Sequence, residues 1–243
     1  MPATLDKQTA ETDERRELDR LREVYEQRRH SKIMERYLWT NPGHLYCLHE
    51  QQATMAALLR SAGLKSLAGL RILDVGCGRG ATLRHYLDYE ADPQQLWGIE
   101  LLPAFVEQAH SASPNLKVIC GSATRLPFPD SSFDFVSQIL VFSSLMDTPM
   151  ERRVANEIAR VLVPGGRLLW YDLAFNNPSN PNVRGIRLSE IRQLFPAFSM
   201  TSRRITLAAP LGRAIGRFGP TIYHLTSKLR FLCTHNLCLL RKP

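Results

Sequence analysis

The chain has 243 residues and a formal net charge of +8, from 31 basic and 23 acidic side chains. That length suits one ordinary α/β domain with small additions and allows a full hydrophobic core. The sequence has no apolar run of about 18 residues, which argues against a transmembrane helix, and no apolar secretory segment at its start. We therefore expect a cytoplasmic protein.

Five scattered cysteines agree with that expectation. They are Cys47, Cys77, Cys120, Cys233 and Cys238. Because they are odd in number and form no C-x-x-C pair, neither a disulfide framework nor a zinc site is predicted. Cys233 and Cys238 lie close to His235, but we expect this stretch to be a buried strand rather than a metal site.

The excess positive charge is concentrated near the end of the sequence. Between Asn182 and Pro243 lie eleven of the 31 basic residues and one of the 23 acidic residues, which leaves 20 basic and 22 acidic residues elsewhere. Such a segment can meet an anionic substrate, a nucleic acid or an acidic membrane surface, or it can be a solvated face without a partner. The sequence leaves these alternatives open.

Residues 1–66 predict a helical extension that acts as a lid. The first 30 residues are rich in Glu, Asp and Arg, which predicts a solvent-exposed helix after a frayed terminus. A turn is predicted at 40–43, and apolar residues then recur at helical spacing over 44–62. Tyr37, just before the turn, is a candidate lid residue.

Residues 67–243 alternate between strand and helix patterns, which predicts an α/β fold with a parallel sheet and right-handed crossovers. Strands are predicted near 70–75, 95–100, 116–120, 133–138, 166–172, 200–208 and 234–240. Helices are predicted near 80–88, 103–110, 150–161 and 188–195. The loop at 176–182 is too rich in Asn and Pro for regular structure.

The segment 211–232 is longer than a connection between the last two strands requires. Pro220 divides it into two short predicted helices, and apolar residues recur at helical steps. These are Leu211, Ile215, Phe218, Ile222, Leu225, Leu229 and Leu232. We expect this stripe to be buried as a cap over a pocket or the sheet edge, so that Leu225→Asp would destabilise the domain. With Phe218, Tyr223 and Phe231 in the core, the basic segment is not expected to read nucleic acid.

Residues 71–80, Arg-Ile-Leu-Asp-Val-Gly-Cys-Gly-Arg-Gly, form an apolar strand that runs into a glycine-spaced turn. Glycine lets the backbone turn tightly and approach a ligand where a side chain would clash. The next strand ends at Glu100, where a carboxylate can accept both hydroxyls of a ribose. The three glycines are each two apart, unlike the G-x-G-x-x-G dinucleotide fingerprint. The pattern therefore predicts a nucleoside site of another kind.

This motif and its strand-end Glu resemble the first two motifs of the class I S-adenosylmethionine (SAM)-dependent methyltransferases, in particular the type 11-like enzymes of bacterial small-molecule and polysaccharide pathways. Over about residues 68–175 the resemblance continues in order. Residues 121–130 resemble the adenine-binding loop, 132–137 the fourth strand and 160–169 the turn into the fifth. The resemblance implies SAM as the cofactor and a seven-stranded Rossmann-like sheet with helices on both faces and an antiparallel last strand.

The resemblance also assigns cofactor contacts to residues at the ends of the first four strands. These are Asp74, Gly76, Cys77, Gly78, Glu100, Leu101, Ser122, Ala123 and Gln138. The glycine loop would supply backbone contacts, Asp74 would meet the amino group of the cofactor, and Glu100 would bind its ribose. Ser122 departs from the family, since many relatives have Asp there and a serine hydroxyl accepts hydrogen bonds without a charge.

The acceptor is expected beyond the carboxyl ends of the fourth and fifth strands, where parallel sheets bind ligands. The candidate acceptor residues, with the lid residue, are Tyr37, Asp172, Asn176, Asn177 and Arg184. Arg184 would pair with an acidic group of the acceptor, or these side chains only stabilise their loop. No catalytic residue is identified, and the conceivable general bases are His44, His49, Asp147 and Asp172.

We therefore expect a SAM-dependent methyltransferase that acts on a small or medium-sized polar acceptor, such as a sugar or specialised metabolite, at oxygen. An anionic acceptor and contact with a membrane surface are open options, and no metal is expected. Two alternatives remain: an RNA methyltransferase drawn to its substrate by the basic segment, and a noncatalytic SAM-binding partner subunit. No N-P-P-Y-type tetrad follows the fourth strand, so nucleic acid is the less favoured acceptor.

Overall fold

The computed structural model describes residues 2–29 and 31–243, and the side chains of 12–28, 31 and 35–243. Its α-helices are α1 (Pro2–Arg29), α2 (Pro42–Ser61), α3 (Ala81–Leu87), α4 (Pro103–Ala112), α5 (Thr148–Val161), α6 (Leu188–Leu194), α7 (Ala209–Gly216) and α8 (Pro220–Ser227). Its β-strands are β1 (Ile72–Val75), β2 (Leu96–Glu100), β3 (Lys117–Cys120), β4 (Phe133–Ile139), β5 (Leu162–Leu173), β6 (Ser199–Leu207) and β7 (Cys233–Arg241). Short 3-10 helices lie at Lys32–Tyr37, Pro93–Gln95, Phe142–Ser144 and Arg230–Leu232.

The seven strands form one sheet in the order β3-β2-β1-β4-β5-β7-β6. β1 to β5 are parallel, while β7 is antiparallel to both of its neighbours. The chain moves outward from β1 in one direction and from β4 in the other. A crevice therefore opens at the carboxyl ends of these two strands, where open α/β sheets bind ligands. Because β7 reverses direction, β6 ends at this same edge.

Apolar side chains pack on both faces of the sheet because strand residues alternate in direction. On one face, Trp170 of β5 packs in a cluster with Ile158 of α5 and with residues of α1 and α6. On the other, Leu169 packs in a cluster with Leu58 of α2 and with residues of α3 and α4. The predicted seven-stranded sheet with helices on both faces is confirmed.

The predicted helices and strands are present, with small differences at their ends. The largest is in β5, which begins at Leu162 rather than near residue 166. A register shift opposite Phe133 and Phe135 accommodates the turn at 164–166, where Gly165 has a left-handed backbone. β5 therefore pairs with β4 both before and after this turn. The sequence predicted the same turn, but before the start of the strand.

The prediction that the first helix is solvent-exposed is wrong for one side of α1. Leu21 is buried in the core, and Glu17 is buried as well. A carboxylate oxygen of Glu17 accepts a hydrogen bond from the backbone N–H of Met146 (2.7 Å), and Arg20 donates to the carbonyl of Ser144 (2.6 Å). The sequence suggested exposure because the partners of these charged side chains lie about 125 residues away. α1 therefore packs across the loop that follows β4.

The segment 211–232 contains the two predicted helices, and Pro220 begins the second. Its burial differs from the prediction. α8 buries Tyr223 and Ser227, and the apolar side chains left exposed are Phe218, Ile222, Leu225, Leu229 and Phe231. The expectation that Leu225→Asp would destabilise the domain is therefore wrong. Nucleic acid was discounted because Phe218, Tyr223 and Phe231 were expected in the core, and this is wrong for Phe218 and Phe231, which are exposed. Both faces of α8 carry apolar residues, so periodicity alone did not identify the inward one.

Glycine allows α7 to approach the first turn of α2 closely. A Cβ atom added at Gly216 would lie 2.5 Å from the Cα and from the N of Gly43. No side chain fits at that separation, and helices with glycine at the crossing can bring their backbones together. The contact fixes the segment 211–232 on α2.

We expect Gly216→Ala to destabilise the protein by about 1–3 kcal/mol, because the new methyl group overpacks the contact with Gly43. Gly212→Ala is the matched control in the same helix. Its Cβ would meet its nearest neighbour, in the Tyr223 ring, at an ordinary 3.5 Å, and alanine favours helix. Thermal unfolding should show a lower melting temperature for the first variant only. Equal melting temperatures would contradict the close α2–α7 contact.

Candidate functional site

The glycine-spaced turn follows the buried strand β1 and leads into α3. Gly76, Gly78 and Gly80 all have left-handed backbones, with φ of 68°, 52° and 73°, a conformation that costs glycine little. The backbone N–H groups of Gly76 and Cys77 donate to the carbonyl of Ile99 at 2.8 and 3.1 Å. The turn is thereby fixed to β2 at the crevice. A Cβ at Gly78 would meet no atom within 4 Å, so the space above this residue is open.

Glu100 connects β2 to the turn. Its carboxylate accepts hydrogen bonds from the N–H of Gly78 (3.0 Å) and of Leu102 (2.9 Å). The side chain is buried, and this burial raises its pKa although the two hydrogen bonds act in the opposite direction. The structure therefore places the predicted ribose ligand next to the predicted glycine loop.

Asp74 is a second buried carboxylate in the same place. It accepts a hydrogen bond from the hydroxyl of Ser137 on β4 (2.6 Å). Burial raises its pKa to about 7, and the nearby charge of Glu100 adds to the effect. No ion pair between residues of the described ranges involves either carboxylate. Among the described residues, the site thus combines two buried acids that have no basic partner in an ion pair.

The remaining predicted cofactor residues surround this pair. Cys77 points toward β2, since a Cβ at Gly98 would lie 2.6 Å from its sulfur, so only its backbone faces the crevice side. Ser122 is held in its turn by Thr124, whose hydroxyl lies 2.8 Å away. Leu101 and Ala123 are half-buried against the core.

Gln138 lies at the end of β4, next to Val75 of β1 in the sheet. Its side-chain oxygen accepts a hydrogen bond from the N–H of Val141 (3.1 Å). Its amide nitrogen is buried and has no partner among the described residues. Because a buried donor without a partner is costly, a ligand group that reached this nitrogen would gain a favourable hydrogen bond.

Asp172 ends β5 on the acceptor side of the crevice. Its two oxygens accept hydrogen bonds from the N–H groups of Ser143 (3.1 Å) and Leu173 (2.9 Å). The side chain is fully buried, and burial raises its pKa to about 6. It is the one conceivable general base that the structure places in the interior beside the crevice strands.

Tyr25 of α1 was not predicted as a site residue. Its hydroxyl lies 2.9 Å from that of Ser144, and its ring contacts Phe105 of α4 edge-on at 6.4 Å. The charges of Glu100 and Asp172 both act on Tyr25, although burial is the main cause of its raised pKa. The spacing of Leu18, Leu21 and Tyr25 was the available signal, since positions three and four apart share one helix face.

The other acceptor candidates are engaged within the protein. Arg184 pairs with Glu151 and Glu190 (2.5 and 2.8 Å), so it is already satisfied. Asn176 accepts from the N–H of Gly185 (2.9 Å) and Asn177 from that of Ser179 (3.0 Å).

The predicted lid residue and the other conceivable bases are also placed. Tyr37 is exposed and contacts His44 edge-on at 5.5 Å, and His49 is exposed. Asp147 caps α5 by accepting from Met150 (2.9 Å) and lies 3.7 Å from Arg153. None of these side chains is brought next to Asp74 or Glu100 by a described contact.

Comparison with known proteins agrees with this geometry. Residues 73–170, which include the glycine turn, Glu100 and β4, match a family model described as a methyltransferase domain. By this match, residues 73–170 are a methyltransferase domain. The family and the cofactor class that the sequence motifs predicted are confirmed.

The methyltransferase domain also aligns with curated proteins. The phthiotriol/phenolphthiotriol dimycocerosates methyltransferase of Mycobacterium leprae is 37% identical over 123 residues, which cover 50% of this chain and 43% of the relative. The sterol 4-C-methyltransferase of Caenorhabditis elegans is 33% identical over 111 residues, which cover 43% and 31%. The chain thus spans less than half the length of these relatives.

Solved structures share the fold of the methyltransferase domain. The YcgJ protein of Bacillus subtilis superposes with a TM-score of 0.58 at 20% identity over 78% of this chain and 98% of that chain. A SAM-dependent methyltransferase of Mesorhizobium loti gives a TM-score of 0.57 at 18% identity over 76% and 96%. At this level of identity the similarity concerns the fold.

The residues of the methyltransferase domain fit SAM. The ligand carries a positive sulfonium and a positive amino group, and the site offers the buried carboxylates Asp74 and Glu100 without a protein cation. The open space at Gly78 allows close approach to the backbone, and the free amide nitrogen of Gln138 can donate to a carboxylate. A ligand that carries positive charge for Asp74 and Glu100 and a carboxylate for the amide nitrogen of Gln138 is therefore complementary to this site.

Proposed function

We propose that this protein is a SAM-dependent methyltransferase that acts at a hydroxyl oxygen of a small or medium-sized acceptor. The observation that carries the proposal is the pair of buried carboxylates, Asp74 and Glu100, beside the open space at Gly78. When bound, SAM supplies an electrophilic methyl group on a positively charged sulfur. The protein then has to hold donor and acceptor in line at short distance and exclude water.

Asp172 is the proposed base for the acceptor hydroxyl. As the new carbon–oxygen bond forms and the sulfur–carbon bond breaks, the hydroxyl proton passes to its carboxylate. A pKa of about 6 suits this role, since a general base works best when its pKa is near the working pH. Asp147 is paired with Arg153 at 3.7 Å whereas Asp172 has no basic partner among the described residues, and His49 is exposed, which makes both Asp147 and His49 less suitable.

The relatives supply support for the acceptor class. Their names give phthiotriol dimycocerosates and a sterol as the compounds that are methylated, the sterol at carbon 4, so they bear on the class of compound and not on the atom methylated. We therefore favour a hydroxylated, lipid-like acceptor over a free sugar. An anionic acceptor is not favoured, because Arg184 is paired with Glu151 and Glu190. A noncatalytic SAM-binding subunit stays the alternative to an enzyme.

We expect Asp172→Asn to lower the rate of methyl transfer by about 100- to 10,000-fold, the usual contribution of a general base. SAM affinity should stay within about twofold, because Asp172 is proposed to contact only the acceptor side. The measurement is release of S-adenosylhomocysteine with a panel of sterols, long-chain diols and sugars. Calorimetry gives the SAM affinity.

Asp147→Asn is the matched control, because asparagine also caps helices and the same charge is removed. This variant should keep its turnover. Full activity in Asp172→Asn would exclude Asp172 as the base. SAM binding without transfer to any acceptor of the panel would favour the noncatalytic subunit.

A further inference from the structure

Five large apolar side chains are exposed in one short stretch. Their exposed fractions are Phe218 60%, Ile222 47%, Leu225 59%, Leu229 49% and Phe231 79%. Single exposed apolar residues are ordinary, whereas a contiguous group marks an interaction surface. Positions 222, 225 and 229 share one face of α8 and its continuation, opposite the buried Tyr223 and Ser227. The exposed face is therefore not the one that holds the helix on the domain.

Basic side chains lie around this face, and Glu50 of α2 is an acid close to one of them, Arg230. Arg213, Arg217, Lys228 and Arg230 lie in the same segment, and no acidic residue follows Glu190 in the sequence. The guanidinium of Arg217 lies over the ring of Phe218 at 4.9 Å. Within the described part of the chain, none of the four basic residues forms an ion pair with an acid. Glu50 offsets part of the charge of Arg230, while no ion pair in the described part of the chain offsets Arg213, Arg217 or Lys228.

A second exposed apolar group adjoins the first. Tyr37, Leu38 and Trp39 are all exposed and lie just before α2. The first turn of α2 touches the end of α7 at Gly43 and Gly216. We call the exposed residues of 37–39 and 213–231 together the basic apolar surface. Tryptophan and tyrosine are enriched where proteins meet the polar boundary of a bilayer.

The basic apolar surface lies at the edge of the sheet that carries the site. α7 begins directly after β6, which ends at the same edge as β5. The hydroxyls of Tyr171 on β5 and Thr206 on β6 are 2.8 Å apart at this end. A partner on the surface would therefore lie on the side of the molecule from which an acceptor enters.

We propose that the basic apolar surface binds a bilayer that contains anionic lipids. Aliphatic and aromatic side chains enter the boundary between headgroups and acyl chains, while the arginines and lysine attract the headgroup phosphates. Ile222, Leu225 and Leu229 favour lipid over nucleic acid, because aliphatic side chains do not stack on bases as aromatic rings do. No helix of the described residues is long and apolar enough to cross a bilayer, so this binding is peripheral. It goes beyond the proposed function and does not depend on it.

The test is sedimentation of the full chain with vesicles. We expect binding to vesicles of equal parts phosphatidylglycerol and phosphatidylcholine, weak binding to pure phosphatidylcholine, and a decrease with added salt. Phe218→Ser with Phe231→Ser, and separately Arg217→Glu with Lys228→Glu, should each weaken the anionic binding at least about tenfold. Both pairs replace exposed side chains, so the fold should be kept.

Matched controls lie elsewhere on the molecule. Arg60→Glu with Lys65→Glu reverses two exposed charges near the start of β1, and Met146→Ser removes an exposed apolar side chain under α1. These variants should bind vesicles like the unchanged protein. All variants should keep SAM affinity, so a failure of SAM binding would count against the proposed function alone.

Three results would overturn the membrane proposal. The first is no sedimentation with anionic vesicles. The second is equal vesicle binding by the surface variants and the controls. The third is that the surface variants lose a different association instead: a dimer seen by analytical ultracentrifugation, or tight binding to single-stranded RNA, without any binding to vesicles.

Discussion

Gly78→Arg is expected to abolish SAM binding, with at least a 100-fold loss of affinity. The side chain would extend into the open space above the glycine turn, where a Cβ meets no protein atom within 4 Å. The protein itself should still fold, because nothing in that space has to move. The cost to stability is limited to the left-handed backbone at φ 52°, which is about 1–2 kcal/mol for a residue with a Cβ.

Gly63→Arg provides the matched control. Gly63 also has a left-handed backbone, with φ of 82°, and open space around its Cβ position. It lies in the turn between α2 and β1, away from the crevice. The melting temperature should fall by a similar amount in both variants. Calorimetry should show no heat of SAM binding for Gly78→Arg and a normal heat for Gly63→Arg. Normal SAM affinity in Gly78→Arg would place the cofactor elsewhere.

Asp74→Asn is expected to stabilise the ligand-free protein at high pH while weakening SAM. The folded-state pKa of Asp74 is about 7 against an ordinary 3.8, so the folded protein holds this proton more tightly than the unfolded chain. Ionisation therefore removes stability as the pH rises from about 4 to about 7, by at most roughly 4 kcal/mol. Asparagine removes that loss and can still accept the hydrogen bond from Ser137.

Melting temperatures measured from pH 4 to pH 8 test this linkage. The variant should match the unchanged protein near the lower pH and exceed it by several degrees at the higher pH, given about 2–4 °C per kcal/mol for a protein of this size. The rise in melting temperature caused by SAM should grow with pH in the unchanged protein, because the ionised carboxylate attracts the cation. A constant difference across the range would contradict a raised pKa. Glu107→Gln, which removes a carboxylate charge at an exposed position of α4, is a suitable unaffected control.

The cofactor side of the site could be predicted from the sequence because its determinants are local. Gly76, Gly78 and Glu100 follow strands whose apolar runs are continuous, and a strand-end position in a parallel sheet fixes where a residue lies. Asp74 and Glu100 lie on the neighbouring strands β1 and β2. The order of the strands was therefore enough to predict that these two carboxylates lie close together.

The acceptor side could not be predicted in the same way, because it depends on distant contacts. Arg184 has a side chain suited to binding an anion, yet it forms an ion pair with Glu151, 33 positions earlier in the sequence. Tyr25 has the pattern of a surface helix, yet it reaches Ser144, 119 positions later. The choice between the two apolar faces of α8 likewise depends on the packing of Tyr223 against the domain, which a helical period does not encode.

The position of α1 has a consequence for the speed of the catalytic cycle. α1 contacts α4 through Tyr25, the loop after β3 through Glu14, whose carboxylate accepts a hydrogen bond from the hydroxyl of Thr124, and the loop after β4 through Arg20. A nucleoside ligand at Glu100 would lie near this helix, since the charge of Glu100 acts on Tyr25. The apolar contacts of α1 with the core are limited to Leu18, Leu21 and Tyr25 among the described residues, and segments with few buried apolar contacts open at low free energy. We therefore expect local unfolding of α1 to time product departure, so that added salt should raise the turnover rate without changing the rate of the methyl transfer step.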